Sequence, residues 1–310
     1  MIRRIGTTAA AALCCTLAGV GLVGCDDDVA SADPESSESA DGGASDEGND
    51  EGVTPGGAGV EQIELDGQTV NVNIHCAGES AEGQPVVFLL HGGGEDVSNM
   101  SDLLETLSAD GQVCAYDRLG AGGSDAPLGP QDFEDTGAIL GGVIEEVASG
   151  KPIVLAGHSM GGLIAARYAP ENEQVAGVVL LDATGPHAAG DFAERIPEDV
   201  EGPTAELRAA QLAVFEGQNP EQLVFTDADV VPAGDIPARV LQHGVQYLAE
   251  LDPEYGEGLE EDWTAAQEEW LNLSTDSERT VVEGAGHYIH TDVPDAAVEA
   301  IEDVVARAAG

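Results

Sequence analysis

A single serine stands where a run of apolar residues gives way to a helical pattern. In PIVLAGHSMGGLIAARYA, residues 152–169, Ser159 lies between Gly157 and Gly161 in the spacing G-x-S-x-G. A sharp, strained turn from strand to helix lifts such a serine above the sheet edge, where its hydroxyl can act as a nucleophile. Side chains at the two glycines would collide with the neighbouring strand and helix, and the N–H of Met160 would face a developing oxyanion.

The setting of this serine matters more than the spacing itself. The chain contains 41 glycines, so G-x-S-x-G also arises by chance. Here a buried strand precedes the motif and a helix follows it, which is the arrangement that the chemistry needs. The alternative is a glycine-rich turn in which Ser159 only caps the helix.

A serine nucleophile needs a base to take its proton, and histidine commonly serves. His287 stands in EGAGHYIH, on a glycine-rich loop after the last predicted strand, from which its ring can reach over Ser159. His290 is the second candidate. Five further histidines have no such setting: His91 and His158 are assigned to the scaffold, and His75, His187 and His243 have no supporting pattern.

Alternating secondary structure must position these residues. From Val60 onward, short apolar segments alternate with segments of helical periodicity, which predicts an α/β fold with a mostly parallel sheet covered on both faces. The predicted strands are a hairpin through Asp66-Gly67 and the segments PVVFLL, GQVCAY, PIVLAG, VAGVVLL, IPARVLQ and RTVVEG. The predicted helices lie at residues 97–109 and 133–148 and in DWTAAQEEWLNL and PDAAVEAIEDVVARA.

One segment interrupts the alternation. Residues 185–235 contain five prolines and one helix-like run, TAELRAAQLAVFEG. An insertion of this length between two core strands predicts a lid over the site.

Five motifs resemble the α/β-hydrolase superfamily in their order and rough spacing: VVFLLHGGG, YDRLGAGGSD, LAGHSMGG, VVLLDATGP and EGAGHYIH. The similarity covers nearly the whole chain from Val60 and is greatest to exported or lipid-anchored bacterial esterases and lipases. It implies an eight-stranded sheet with a helical lid, and the chain order nucleophile, acid, histidine, which Ser159 and His287 obey. It also implies a second oxyanion donor in the loop after the HG pair, Gly93 or alternatively Gly94, unless HGGG is a plain turn.

The resemblance allows two positions for the acid that orients His287. Asp182 occupies the first, at the end of the strand after the nucleophile. In the second, after the next strand, the family's glycine-then-aspartate pair is missing, and the chain offers Asp252, then Asp262 and Asp276. We expect Asp182 to be the acid, with Asp252 as the alternative.

The first 24 residues have the features of an export signal. Arg3 and Arg4 precede an apolar run that ends in LVGC, at Cys25. This run resembles the bacterial lipoprotein signal, so we expect Cys25 to be lipidated and to anchor the chain on the outer face of the cell membrane. An ordinary signal peptide or an uncleaved anchor is the alternative. Residues 25–59 contain almost nothing apolar and predict a disordered acidic linker before a domain at 60–310.

Two cysteines remain for the exported domain. Cys14 and Cys15 lie in the signal, which leaves Cys76 and Cys114 on the oxidising side of the membrane. The resemblance places these two on neighbouring strands, the second and the fourth, and so implies a disulfide. Two buried thiols are the alternative.

The charge of the chain excludes one class of partner. The sequence has 59 Asp and Glu against 10 Lys and Arg, a formal charge of −49. Nucleic-acid binding requires a basic patch, which the sequence lacks. A solvated acidic surface, or adaptation to high salt, explains the composition.

We expect neither a metal nor a cofactor. The sequence has no Cys/His cluster with zinc spacing. Gly120, Gly122 and Gly123 do not fit a G-x-G-x-x-G that opens a helix.

The candidate residues and the resemblance together predict hydrolysis of a small or medium ester through an acyl-enzyme on Ser159. Lactone or amide hydrolysis, carbon–carbon hydrolysis and cofactor-free haloperoxidation are alternatives on the same fold. A non-catalytic surface lipoprotein is the alternative from another class. Phe192, Leu212 and Phe215 in the predicted lid indicate a partly apolar acyl group.

Overall fold

The computed structural model describes residues 57–65, 67–148 and 150–310. The predicted signal peptide at 1–24, the candidate lipidation site Cys25 and residues 26–56 of the predicted linker lie outside the described residues. Within the described ranges, no helix is long and apolar enough to cross a membrane.

Eight strands form one sheet. They are β1 (Ala58–Leu65), β2 (Gln68–Ala77), β3 (Val86–Leu90), β4 (Val113–Tyr116), β5 (Ile153–His158), β6 (Val175–Leu181), β7 (Pro237–His243) and β8 (Asp276–Val282). Their spatial order is β1-β2-β4-β3-β5-β6-β7-β8. β2 runs antiparallel to both of its neighbours. All the remaining neighbouring pairs, from β4 to β8, are parallel. The predicted mostly parallel, eight-stranded sheet is confirmed.

The first hairpin starts earlier than its composition indicates. Leu65 pairs with Gln68, as the predicted turn requires, but β1 begins at Ala58, which pairs with His75. Ala58 and Gly59 therefore belong to the sheet and not to the linker, which is a correction. Ladder hydrogen bonds join backbone groups, so small residues without an apolar side chain can extend a strand.

Eight α-helices accompany the sheet in the described part of the chain. They are α1 (Ser101–Leu107), α2 (Phe133–Ala148), α3 (Met160–Tyr168), α4 (Ala188–Arg195), α5 (Pro203–Phe215), α6 (Gly256–Glu269), α7 (Ile289–Asp292) and α8 (Pro294–Ala308). Residues 185–235 thus contain two helices, where the sequence indicated one. A short helix such as α4 owes its stability to tertiary packing more than to its own pattern, and its Phe192 packs edge-on against Phe215 of α5.

Helices cover the sheet on both faces because successive strand residues point to opposite sides. In β3, Phe88 and Leu90 join one apolar core with residues of α2 and α3. Val87 and Leu89 join a second core with residues of α1 and α8. All five residues of β3 are buried, as expected for a strand that is covered on both faces. The functional residues are therefore carried on a rigid, doubly covered sheet.

A disulfide joins the antiparallel strand to the parallel part of the sheet. Cys76 of β2 and Cys114 of β4 are directly opposite each other, with Cα atoms 4.1 Å apart and a bond between their sulfurs. Both are buried in the core that contains α2 and α3.

Candidate active site

Ser159 lies in the tight turn between β5 and α3. Its backbone has φ 50° and ψ −119°, in a region that non-glycine residues rarely adopt. Neighbouring backbone groups hold this conformation: the Ser159 N–H donates to the Leu181 carbonyl at 3.1 Å, and the Ser159 carbonyl accepts from Thr184 at 3.1 Å. Strained conformations of this kind persist where the surrounding structure determines them, and they cluster at functional sites.

The flanking glycines allow strand and helix to approach closely. A Cβ on Gly157 would overlap the backbone of Gly161, and a Cβ on Gly161 would overlap the carbonyl of Leu90 in β3. The expected collision at both positions is confirmed, and it explains why this turn requires glycine on both sides of Ser159.

His287 and Asp182 meet at the carboxyl edge of the sheet, although β7 lies between the two strands that they follow. His287 follows β8, and its Nδ1 lies 2.7 Å from Oδ2 of Asp182, which follows β6. Asp182 is fully buried and also has a positive φ of 49°. Burial opposes the charge of Asp182, but hydrogen bonds from His243 and His287 outweigh it and hold the pKa of the carboxyl well below its usual range.

Ser159 and His287 line one cavity, whose volume is about 110 Å³. Oγ of Ser159 is 3.4 Å from Oγ1 of Thr184. Helices of residues 185–235 and α6 supply most of the remaining wall. The apolar lining residues there are Ala188, Phe192, Phe215, Leu259, Trp263 and Ala266, and Leu248 joins them from the turn before α6. The cavity is therefore mainly apolar, and its polar lining residues are Ser159, Thr184, Asp191, Gln211, Asp262 and His287.

The glycine loop after β3 lies beside Met160. A Cβ on Gly93 would come within 3.7–3.9 Å of the Met160 side chain, whereas one on Gly94 would meet nothing within 4 Å. The N–H of Gly92 is already used, since it donates to Oε2 of Glu95 at 2.6 Å. Of the candidate oxyanion donors, Gly93 therefore lies next to Met160.

A buried arginine holds this loop. Arg118 donates to the carbonyls of His91 and Gly92 at 2.6 and 2.7 Å. Its guanidinium also forms a two-point ion pair with Glu221, at 2.7 and 3.0 Å. Arg118 thus links the glycine loop to the 185–235 segment.

Asp252 and His290, the alternative candidates, lie elsewhere. Asp252 accepts hydrogen bonds from the N–H groups of Glu254 and Tyr255 and from the hydroxyl of Thr204 in α5. It therefore caps a turn and contacts the 185–235 segment. His290 is buried in α7, where its ring lies 4.8 Å from that of His158.

The two later aspartates are engaged in ion pairs with arginines. Asp262 pairs with Arg195 at 2.5 Å, and Asp276 pairs with Arg307.

Sequence reasoning missed four polar neighbours of the Asp182–His287 pair. His243 and Trp263 donate to Asp182 from their ring nitrogens at 2.9 and 3.0 Å. Glu260 lies behind His243, and His158 donates from Nε2 to the His287 carbonyl at 3.0 Å. One signal was available for His243: like Asp182, it stands at the carboxyl end of a short buried strand, and parallel strands end at the same sheet edge.

The glycine-rich loop after β4 wraps around a carboxylate of its own chain. The N–H of Gly123 and the N–H of Val97 both donate to Asp117 at 2.7 Å. A Cβ on Gly122 would overlap the same carboxylate. Backbone donors that would otherwise suit a phosphate are thus used internally. In the part of the chain that the structure describes, no group of three His, Cys, Asp or Glu residues is arranged to hold a metal ion.

Known proteins share this architecture. A thermophilic esterase from Thermogutta terrifontis superposes with a TM-score of 0.58 at 19% identity, covering 82% of this chain and 100% of that one. The enol-lactonase from Burkholderia xenovorans LB400 gives a TM-score of 0.57 at 19% identity, covering 79% of this chain and 100% of that one. At this level of identity, the likeness shows the fold.

A more similar sequence is only partly matched. The 1-acylglycerol-3-phosphate O-acyltransferase of Arabidopsis thaliana is 31% identical over 118 residues. This match covers 36% of the present chain and 28% of the plant protein, so it spans less than a third of that relative.

Residues 86–301 match the profile of the alpha/beta hydrolase family. The matched region runs from the start of β3 into α8, and it contains Ser159, Asp182 and His287. With this match and the eight-stranded sheet, the chain belongs to the alpha/beta hydrolase family.

Proposed function

We propose that this chain is a serine hydrolase that cleaves carboxylic esters through an acyl-enzyme on Ser159. One observation carries the proposal. Ser159 and His287 line the same cavity, and the far nitrogen of His287 contacts the buried carboxylate of Asp182 at 2.7 Å. Nucleophile, base and orienting acid in this order are the elements that serine-based acyl transfer needs.

In the first half of the proposed reaction, Nε2 of His287 takes the proton of the Ser159 hydroxyl as Oγ attacks the ester carbonyl. Asp182 accepts the Nδ1–H of His287 and stabilises the imidazolium that forms. The N–H groups of Met160 and Gly93 hold the negative oxygen of the tetrahedral intermediate. His287 then gives its proton to the leaving alcohol, which leaves the acyl group on Ser159.

In the second half, water replaces the alcohol. His287 takes a proton from the water as its oxygen attacks the acyl carbonyl, and the same two N–H groups hold the new oxyanion. Collapse of this intermediate returns the proton to Ser159 and releases the carboxylic acid. The chemistry balances without a metal or a cofactor.

The composition of the cavity lining supports a substrate with a short, uncharged and partly apolar acyl group. Phe192 and Phe215 of the 185–235 segment line the cavity together with Leu259 and Trp263 of α6. The volume of about 110 Å³ is comparable to cavities that hold a small hydrocarbon. We propose that residues 185–235 act as the lid that sets acyl preference. A lactone is a cyclic ester and would follow the same steps.

We further propose that the chain is exported and anchored by lipid at Cys25, facing the outside of the cell membrane. The LVGC motif at residues 22–25 supports this, and so does the disulfide between Cys76 and Cys114, since disulfides persist in oxidising compartments. Labelled palmitate supplied to a bacterial host should enter the wild-type chain and not the Cys25→Ala variant. Equal labelling of both would contradict the anchor.

Labelling with a fluorophosphonate probe tests the proposed activity. The purified wild-type protein should react covalently, and Ser159→Ala should not react at all, because the probe needs an activated serine hydroxyl. Ser108→Ala, at a half-buried serine that follows α1, is the matched control and should label like the wild type. Absence of labelling in the wild-type protein would contradict the proposal. Hydrolysis rates across esters of increasing acyl length would then define the substrate.

A further inference from the structure

His243 stands between two carboxylates in the interior. It ends β7, and its Nδ1 lies 2.9 Å from both carboxyl oxygens of Asp182. Its Nε2 lies 2.6 Å from Oε1 of Glu260 on α6. The His243 side chain is completely excluded from solvent, and that of Glu260 is 7% exposed. No bulk water therefore mediates these contacts.

With both acids ionised, this geometry requires a proton on each ring nitrogen. A carboxylate only accepts hydrogen bonds, and a neutral imidazole has a single N–H to donate. A neutral His243 would place a nitrogen lone pair against one of the two carboxylates. The other oxygen of Glu260, Oε2, is buried with no hydrogen-bond partner among the described residues, so the contact with His243 is the main compensation for that buried charge.

The titration of His243 agrees with its contacts. Burial alone would lower the pKa of His243, but hydrogen bonds to Asp182 and Glu260 outweigh it and raise the pKa to about 9. Three titratable groups face the ring: Asp182 after β6, Glu260 on α6, and Tyr247 in the loop after β7, whose ring centroid is 4.7 Å away. His287, after β8, contacts the same carboxylate of Asp182.

We propose that His243, held as an imidazolium by Glu260, is a positioning residue for the Asp182–His287 pair. This inference rests on the proposed function of Ser159 and His287. From His287 at the cavity, the line of contacts runs inward through Asp182 and His243 to Glu260. Its last two members do not line the cavity.

The proposed role has two parts. First, the ring and backbone N–H groups of His243 both donate to Asp182, and this fixes the plane of its carboxylate so that Oδ2 faces His287. Second, the positive charge of His243 offsets part of the negative charge on Asp182. Asp182 then stabilises the imidazolium of His287 less than an isolated carboxylate would, which favours release of the proton to the leaving group at neutral pH.

Nitrogen NMR of the ¹⁵N-histidine-labelled protein tests the charge of His243 directly. In the wild type we expect both ring nitrogens of His243 to be protonated at pH 7.5 and to titrate near pH 9. In Glu260→Gln we expect the midpoint to fall by about one pH unit or more, because an amide no longer demands a proton on Nε2. A neutral His243 in the wild type at pH 7.5 would overturn the proposal.

The pH profile of kcat/KM tests the positioning role. The variant His243→Asn with Glu260→Gln removes both charges, so no buried carboxylate is left unpaired, and it retains an amide near the position of Nδ1. We expect the midpoint of the acid limb of this profile to rise by about half to one pH unit, because the full negative charge of Asp182 then raises the pKa of His287. We expect kcat to fall about 10- to 100-fold, less than the roughly 10⁴-fold cost of losing the acid itself.

His75→Gln is the control, at a histidine in β2 outside this line of contacts. If His243 had only a structural role, the double variant would have a lower melting temperature and an unchanged midpoint for the acid limb of its kcat/KM profile. An unchanged midpoint would therefore refute the positioning role. If the double variant does not fold, the NMR measurement still decides the proposal. The NMR measurement needs no activity, so its outcome is separate from that of the Ser159 labelling.

Discussion

Asp182 is completely buried and accepts hydrogen bonds from four donors. They are the ring nitrogens of His287, His243 and Trp263, and the backbone N–H of His243. Each donor stabilises the ionised carboxylate, so Asp182 stays charged although it is buried. Asp252, by contrast, uses its oxygens on a local turn and on Thr204. At the scale of single residues, only one of the two carboxylates is directed at a histidine.

Substitution of each aspartate by asparagine should separate their roles. For Asp182→Asn we expect kcat to fall by about 10⁴-fold, because the amide holds His287 in the wrong tautomer. For Asp252→Asn we expect kcat within a few-fold of the wild type and a loss of about 1 kcal/mol in the free energy of unfolding. Ester hydrolysis rates and thermal melts measure the two effects. A large loss of kcat at Asp252 with Asp182 nearly silent would reverse the assignment.

At the scale of elements, the Arg118–Glu221 pair couples two parts of the site. The glycine loop after β3 carries the proposed oxyanion donor, and the 185–235 segment forms part of the cavity wall. Both side chains of the pair are only 3% exposed, so each charge depends on the other for compensation. The pair therefore joins the segment that lines part of the cavity to the loop that carries Gly93.

Glu221→Gln should loosen both elements at once. We expect the free energy of unfolding to fall by about 3 kcal/mol, since the guanidinium remains buried without a countercharge. We also expect kcat to fall about tenfold, as Gly93 loses its fixed position. Glu206→Gln, at an exposed glutamate of α5, is the matched control for chemical denaturation and ester kinetics. Equal stability of the two variants would contradict a role for the pair.

At the scale of the whole molecule, the stability should fall between pH 6.5 and 9. The pKa of His243 is raised to about 9 in the fold and is near 6.5 in an unfolded chain. The contribution of its protonated form is therefore complete below pH 6.5 and is lost as the pH rises through 9. It amounts to about 3 kcal/mol in the free energy of unfolding.

Denaturant titrations across this range measure the effect, because the carboxylates are already ionised there. The variant that carries His243→Asn and Glu260→Gln should show a flatter profile. A wild-type stability that is constant from pH 6.5 to 9 would contradict the charge of His243.

Salt should stabilise the whole protein. A formal charge of −49 produces self-repulsion in the compact state, and salt screens it over a Debye length that falls from about 10 Å at 0.1 M to 3 Å at 1 M. We expect the melting temperature to rise with sodium chloride from 0.1 to 1 M. Thermal melts at several salt concentrations measure this, and a melting temperature that falls with salt would exclude adaptation to high salt.

The sequence by itself determined the alternation of strands and helices and the position of Ser159 in a strand-to-helix turn. These features depend on local patterns: apolar runs of strand length, helical periodicity, and glycines that let backbones approach. The predictions from sequence were wrong where structure does not depend on local composition. The backbone pairing of Ala58 and the packing of Phe192 that stabilises α4 are not visible in composition.

Only the tertiary structure decided which charged groups meet. Asp182 contacts His243 across 61 positions and His287 across 105, and no local pattern links residues so far apart. The sequence analysis assigned no role to His243, because the residues around it in the chain do not indicate its contacts with Asp182 and Glu260. The parallel sheet brings the ends of β6, β7 and β8 to one edge, and burial there makes the charge of each side chain depend on the next.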